Sequence, residues 1–143
     1  VSHNPYACVV RCDGAVRCWG RNDRAQLGRG VTSPSESPGA VPTLGEATLV
    51  AAGFDHACAW DGVLRCWGDN KNDQLKLGNT SIKIGDQPGE MPPADFNIGN
   101  PAVTYQDARG DLSVMCARGY NPDIPGNFVG CAGSVGRLQR RNL

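Results

Sequence analysis

The chemically versatile residues of this chain are few: seven cysteines and two histidines, His3 and His56. Six cysteines fall into three pairs, Cys8 with Cys18, Cys58 with Cys66 and Cys116 with Cys131, each pair flanking turn-forming residues. Cross-strand disulfides in hairpins are the chemistry this spacing suits, and Cys12, placed at a turn, is then the free thiol. If Cys12-Asp13-Gly14 forms a three-residue loop with Gly14 left-handed, Arg11 faces Ala15, Val10 faces Val16 and Cys8 faces Cys18. Opposed residues lie about 4.5–5.5 Å apart between Cα atoms, within reach of a disulfide. The second hairpin is two residues shorter between its cysteines. The same loop type, ending on Gly62, sets Cys58 against Leu64 and leaves Cys66 diagonal at roughly 7–8 Å, so this pair needs a different turn. The alternative for all six is that of small, reduced, buried residues.

Other chemistries find little support. A zinc site would draw on His3, Cys8, Cys12 and Cys18, but that spacing across one hairpin sends the side chains to both faces of a sheet, and no metal is expected. Asp69-Asn70-Lys71-Asn72-Asp73 has the acidity of a calcium loop, yet Lys71 stands at a ligand position and no glycine follows Asp73, so it reads as a solvated turn. There is no Gly-Lys-Ser/Thr phosphate loop, and Ala132-Gly133-Ser134-Val135-Gly136 lacks the first glycine of a nucleophile elbow. Neither a catalytic residue nor a cofactor site is expected.

The elements that would position these cysteines are short strands. Nineteen glycines and ten prolines among 143 residues disfavour long helices. Fourteen Lys plus Arg balance fourteen Asp plus Glu, which removes the positive field that draws proteins to nucleic acid or anionic membrane. The longest apolar stretch, Leu49 to Phe54, is far short of the roughly 18 residues of a membrane span. No basic-then-apolar leader lies near Val1, so a targeting signal is read as absent or already removed, and the chain as a mature form or a fragment. Sliding the chain against itself reveals a repeat: Ala7-Cys8, Asp13-Gly14 and Val16-Arg17-Cys18-Trp19-Gly20 return as Ala57-Cys58, Asp61-Gly62 and Leu64-Arg65-Cys66-Trp67-Gly68. Asn22 with Gln26-Leu27 returns as Asn70 with Gln74-Leu75, and Val114-Met115-Cys116-Ala117 and Val129-Gly130-Cys131-Ala132-Gly133 form a fainter third copy with Ala132 in place of the tryptophan. Each unit reads as strand, turn, strand and a polar Gly/Pro-rich connection, the pattern of antiparallel β-structure.

These repeats resemble the regulator-of-chromosome-condensation family, whose units run G-x-x-H-x-C-A, D-G, then C-W-G-x-N-x-x-G-Q-L-G. Gly53-Phe54-Asp55-His56-Ala57-Cys58-Ala59 fits the opening and Cys66-Trp67-Gly68-Asp69-Asn70 the second half. The resemblance implies an all-β fold, a partial β-propeller of a normally seven-bladed type, with two four-stranded antiparallel blades and a degenerate third, divided at residues 1–52, 53–109 and 110–143. It implies that His56 hydrogen-bonds within its blade and that Trp19 and Trp67, at equivalent positions, pack between blades, the alternative being recognition anchors. Ala25, Asp73 and Lys76 stand where the family has glycine, at turns that cost a β-carbon roughly 1 kcal/mol or more. Specificity is expected in the connections Arg29 to Leu44 and Lys76 to Pro101, and Asn79-Thr80-Ser81 is a glycosylation acceptor in a secreting eukaryote.

Family members include an exchange factor for a nuclear GTPase and a secreted β-lactamase inhibitor. The reading is a non-enzymatic protein–protein interaction module that binds a protein partner through blade loops, without nucleic acid or membrane. Guanine-nucleotide exchange is one alternative, and a secreted, disulfide-stabilised ligand or enzyme-inhibitor binder another. The cysteine pairs favour an extracellular or periplasmic location over a cytoplasmic or nuclear one. Because 143 residues supply fewer blades than a ring needs, the chain is expected to meet remaining blades or to self-associate through outer faces bearing Val9, Val10 and Val16 at one end and Val114 and Val129 at the other.

Overall fold

In the computed structural model described here, residues 5–75, 82–93, 104–110, 114–120 and 126–133 are placed. His3, Lys76, the Asn79 acceptor and the side chain of Val114 lie outside the described residues. The fold is all-β, with no helix among the described residues. Ten strands follow one another: β1 Tyr6–Val10, β2 Val16–Asn22, β3 Ser33–Ala40, β4 Leu49–Ala52, β5 His56–Trp60, β6 Leu64–Asp69, β7 Lys83–Ile84, β8 Thr104–Gly110, β9 Val114–Tyr120 and β10 Asn127–Gly133. They form three antiparallel sheets ordered β1-β2-β3, β4-β5-β6-β7 and β8-β9-β10.

The first hairpin closes as its turn chemistry dictates. Arg11 N–H donates to Ala15 O at 2.9 Å, Gly14 has φ +78°, and Cys8 lies directly opposite Cys18. The second hairpin departs from that pattern. Gly62, at φ +97°, sits at the centre of its loop, so Trp60 faces Leu64 and the register runs through Cys58 opposite Cys66. This is the different turn that the Cys58–Cys66 pair requires: the loop is Asp61-Gly62-Val63, with Asp61 N–H donating to Val63 O at 3.2 Å. Disulfides join Cys8 to Cys18, Cys58 to Cys66 and Cys116 to Cys131, each across a hairpin at Cα separations of 4.0 to 4.1 Å. Cys12 is exposed and unbonded.

β3 is the strand that composition hides. Its sequence, Ser-Pro-Ser-Glu-Ser-Pro-Gly-Ala, reads as a connection, and Pro34 and Pro38 donate no backbone hydrogen bond. Side chains supply what the ladder lacks. Arg29 reaches across β3, Nη1 donating to Glu36 Oε2 at 2.6 Å and Nη2 to the carbonyls of Ser37, at 2.8 Å, and Cys18. Asn22 Nδ2 and Ser33 Oγ donate to Glu36 Oε1 at 2.9 and 2.7 Å. Burial opposes ionisation of Glu36, but these donors and the Arg29 charge outweigh it and hold its carboxyl below the usual range. The register shifts around Gly20 are the cost of proline in an edge strand.

The cysteines align β1 with β5 and β9, and β2 with β6 and β10. The sheets are therefore offset from the divisions at 52/53 and 109/110, since β4 pairs with β5 and β8 with β9. Among the described residues the first sheet has no counterpart of β4. One core runs between the sheets and takes in Val16, Cys18, Leu27, Ala57, Cys58, Leu64, Trp67 and Leu75. Of the valines expected on outer faces, Val9 is 42% exposed, whereas Val16 is buried and Val10 packs against this core, because they share the inward side of the hairpin with the disulfide.

The glycine that follows each tryptophan answers to geometry. Gly20 (φ +97°) and Gly68 (φ +103°) lie so close to the preceding strand that a Cβ would come within 2.4 Å of Pro5 O and 2.5 Å of Asp55 O, respectively. Gly62 shares the positive φ but has nothing within 4 Å. Gly62→Ala is therefore expected to cost about 1–2 kcal/mol from backbone strain alone, and Gly68→Ala at least about 3 kcal/mol because backbone must also move. Denaturant midpoints measure both, and equal losses would rule out the close approach at Gly68.

Candidate functional site

The Asn-x-x-x-Gln-Leu segments fold into the same turn twice. Asn22 Oδ1 accepts from Leu27 N–H and Asn70 Oδ1 from Leu75 N–H, both at 3.0 Å. Gln26 Oε1 accepts from Arg24 N–H at 2.8 Å and Gln74 Oε1 from Asn72 N–H at 2.9 Å. Each turn thus satisfies its buried backbone with its own side chains, which is why these amides are buried while remaining polar. At the tip of each stands a left-handed residue, Ala25 (φ 62°) and Asp73 (φ 54°), where the resemblance places glycine.

The first turn is a seat for the second sheet. Trp67, fully buried, donates its indole Nε1–H to Gln26 O at 2.9 Å. Gly28, with φ +60°, lies under the indole, and a Cβ there would stand 2.8 Å from Trp67 Cδ1. Gly30 N–H donates to Gly85 O at 2.9 Å beside it, and Tyr6 O–H donates to His56 O. Burial, reinforced by the nearby Asp55 charge, pushes the Tyr6 hydroxyl far above its ordinary value, so it remains a donor.

A polar seam continues this joint to the surface. Arg21 pairs with Asp23 at 2.6 Å and with Asp55 of the second sheet at 3.2 Å, and Gln26 Nε2 donates to Asp55 Oδ1 at 3.4 Å. Burial raises the Asp55 carboxyl pKa despite Arg21, and Asp23 and Asp69 add to the rise. Phe54, 40% exposed, lies under the Arg21 guanidinium at 5.9 Å. Exposed Arg24 and Lys71, from the two equivalent turns, carry charges of the kind that frame a recognition surface.

Of the residues singled out from the sequence, Trp67 and His56 are buried at the joint, and Trp19 is half-buried outside the core. No three His, Cys, Asp or Glu side chains gather as a ligand set among the described residues. Sequence reasoning missed Gln26 as the acceptor, Gly28 as the seat and the Arg21–Asp55 pair. It also missed Glu90, whose Oε2 accepts from the N–H groups of Gly85, Asp86 and Gln87 at 2.9 to 3.1 Å and closes the loop after β7. The Gly-Asp-x-Pro-Gly-Glu run was the available signal for that loop.

Comparison with known proteins follows the same lines. Residues 13–60 match the model of the regulator of chromosome condensation (RCC1) repeat. The match begins in the turn of the first hairpin and ends in β5, so it takes in the Gln26 turn and stops short of Trp67. The protein RCC2 homolog of Danio rerio is 39% identical over 56 residues, covering 38% of this chain and 11% of that relative. Human WBSCR16 superposes with a TM-score of 0.68 at 17% identity, over 98% of this chain and 36% of its own. Yeast RCC1 (Prp20), in its complex with Kap60, gives a TM-score of 0.70 at 16% identity, over 95% and 31%. Prp20p from Saccharomyces cerevisiae, in a second structure, gives 0.63 at 18%, over 98% and 35%. The chain spans about a third of these structures and has the fold of part of their propeller.

Trp67→Phe is expected to cost about 1–3 kcal/mol, the price of an unmet Gln26 carbonyl, and Trp67→Ala about 3–5 kcal/mol. Thermal unfolding measures both. Unchanged stability with lost partner binding would instead make Trp67 a recognition residue.

Proposed function

We propose that this run of chromosome-condensation-regulator repeats is a non-enzymatic protein–protein interaction module, binding a protein partner through the turns that adjoining blades present together. The supporting observation is the joint itself: Trp67 in the Gln26 seat holds the turns of two sheets in fixed relation, and exposed Phe54 and Arg24 stand on that frame. Loops on a rigid scaffold are where binding specificity resides. The similar yeast protein has been seen bound to Kap60 and studied for binding to Gsp1p and histones, which favours a protein as the partner class.

Guanine-nucleotide exchange is the second reading, favoured by the likeness to a protein studied for Gsp1p binding. Fluorescent-nucleotide release from Gsp1p separates the two. An interaction module leaves the rate unchanged, and acceleration would overturn the non-enzymatic reading.

The three cross-strand disulfides favour an oxidising compartment, extracellular or periplasmic, over the cytoplasm or nucleus. Thiol titration of unfolded protein from its native source is expected to find one free cysteine, Cys12, before reduction and all seven after. Seven free thiols without reductant would contradict this location.

A further inference from the structure

Two carboxylates share one set of donors at the joint between the first two sheets. Arg21 meets Asp23 at 2.6 Å and Asp55 at 3.2 Å, and Gln26 Nε2 donates at 3.4 Å to Oδ1 of both. Asp23 lies beside these donors in the chain and takes the closer guanidinium contact, whereas Asp55 reaches them from the second sheet. The Asp23 side chain is also 45% exposed, so water solvates it, and that of Asp55 is only 11% exposed. The equivalent second turn is better supplied, with Gln74 Nε2 donating to Asp69 Oδ2 at 2.9 Å.

The groups that face Asp55 decide what a proton does there. From the first sheet come Tyr6 on β1, Arg21 on β2, and Asp23 and Arg24 in the turn that follows. From the second comes Asp69 on β6, with Lys71 3.9 Å from it, while His56 follows Asp55 in the chain and is fully buried. Tyr6 stays protonated and neutral, and Arg24 is exposed, so water and salt screen its charge. Ionised, Asp55 loses hydration and meets the like charges of Asp23 and Asp69, against the share of one guanidinium that Asp23 leaves it. Burial and these neighbours lift its carboxyl above the ordinary aspartate value. The folded chain therefore holds this proton more tightly than the unfolded chain does. The stability it contributes is complete below the ordinary value and is lost as pH rises through the raised one.

We propose that Asp55 is a proton-controlled catch between the two sheets: protonated, it lets the joint close, and ionised, it loosens the joint. The loops beside it, bearing Phe54 and Arg24, therefore stand on a firmer frame in mildly acidic solution than at neutral pH. The catch acts on the frame alone, so it is independent of which partner those loops bind.

Hydrogen exchange of the amides of Gly30 and Ala47, which donate across the joint to Gly85 O and Gly14 O, tests this in the full chain. Asp55→Asn keeps the shape of the side chain and cannot ionise, so comparing the two chains at each pH cancels His56 and every other group they share. At neutral pH the variant is expected to protect both amides roughly threefold more strongly, or better. The difference vanishes at the acidic end, where the unchanged chain holds its own proton. Carboxyl-carbon NMR of the unchanged chain supplies a reading that needs no variant: Asp55 titrates above the ordinary aspartate value. A difference that is the same at every pH, a variant less protected at neutral pH, or titration of Asp55 below that value overturns the proposal.

Discussion

The arrangement of the first two sheets is centred on one contact, the indole of Trp67 lodged on the turn that follows β2. Burying a tryptophan completely removes roughly 200 Å² from water, worth about 5 kcal/mol, more than any other single side chain here can contribute. Its direction comes from polar chemistry. A buried indole N–H needs an acceptor, and Gln26 O supplies one at 2.9 Å because Asn22 and Gln26 hold the turn in shape with their own side chains. Apolar burial sets the strength of the joint and the single hydrogen bond sets its position.

The covalent and non-covalent ties act at different levels. Each disulfide lies within one hairpin and fixes the register of two strands in the same sheet. None crosses between sheets. Joining the sheets falls to Trp67, to the Arg21–Asp55 pair, to the Tyr6–His56 and Gly30–Gly85 hydrogen bonds, and to the segment after β3, where Ala47 N–H donates to Gly14 O and Asp61 Oδ2 accepts from Gly45 N–H, both at 2.9 Å. The matched repeat, residues 13–60, carries the Gln-Leu-Gly seat together with β4 and β5, while Trp67 lies beyond it on β6.

The all-β class, the repeat and the first hairpin were legible because they rest on local chemistry. Gly14 and the alternation from Val10 to Val16 fix that register without help from the rest of the chain. For the second hairpin the sequence left the Cys58–Cys66 pair dependent on a different turn, because an Asp-Gly dipeptide marks a turn without saying which loop position the glycine occupies, and one position moves the register. β3 was hidden because its strand state comes from Arg29, Asn22 and Glu36, long-range partners that propensity does not see. The tryptophans were recognised as equivalent, yet their environments differ, since a repeat sequence does not state which of its faces has a neighbour. Asp55 illustrates the same limit: its raised pKa reflects burial between two sheets, which no property of Phe54-Asp55-His56 announces.

If the Trp67 joint is what makes the first two sheets one body, they must open together. Native-state hydrogen exchange, resolved to β1–β2 and β5–β6, measures this most directly. A common opening free energy is expected for both hairpins, falling by the same amount in both when Trp67 is changed to Phe. Separate opening free energies, with β1–β2 indifferent to that substitution, would contradict the account.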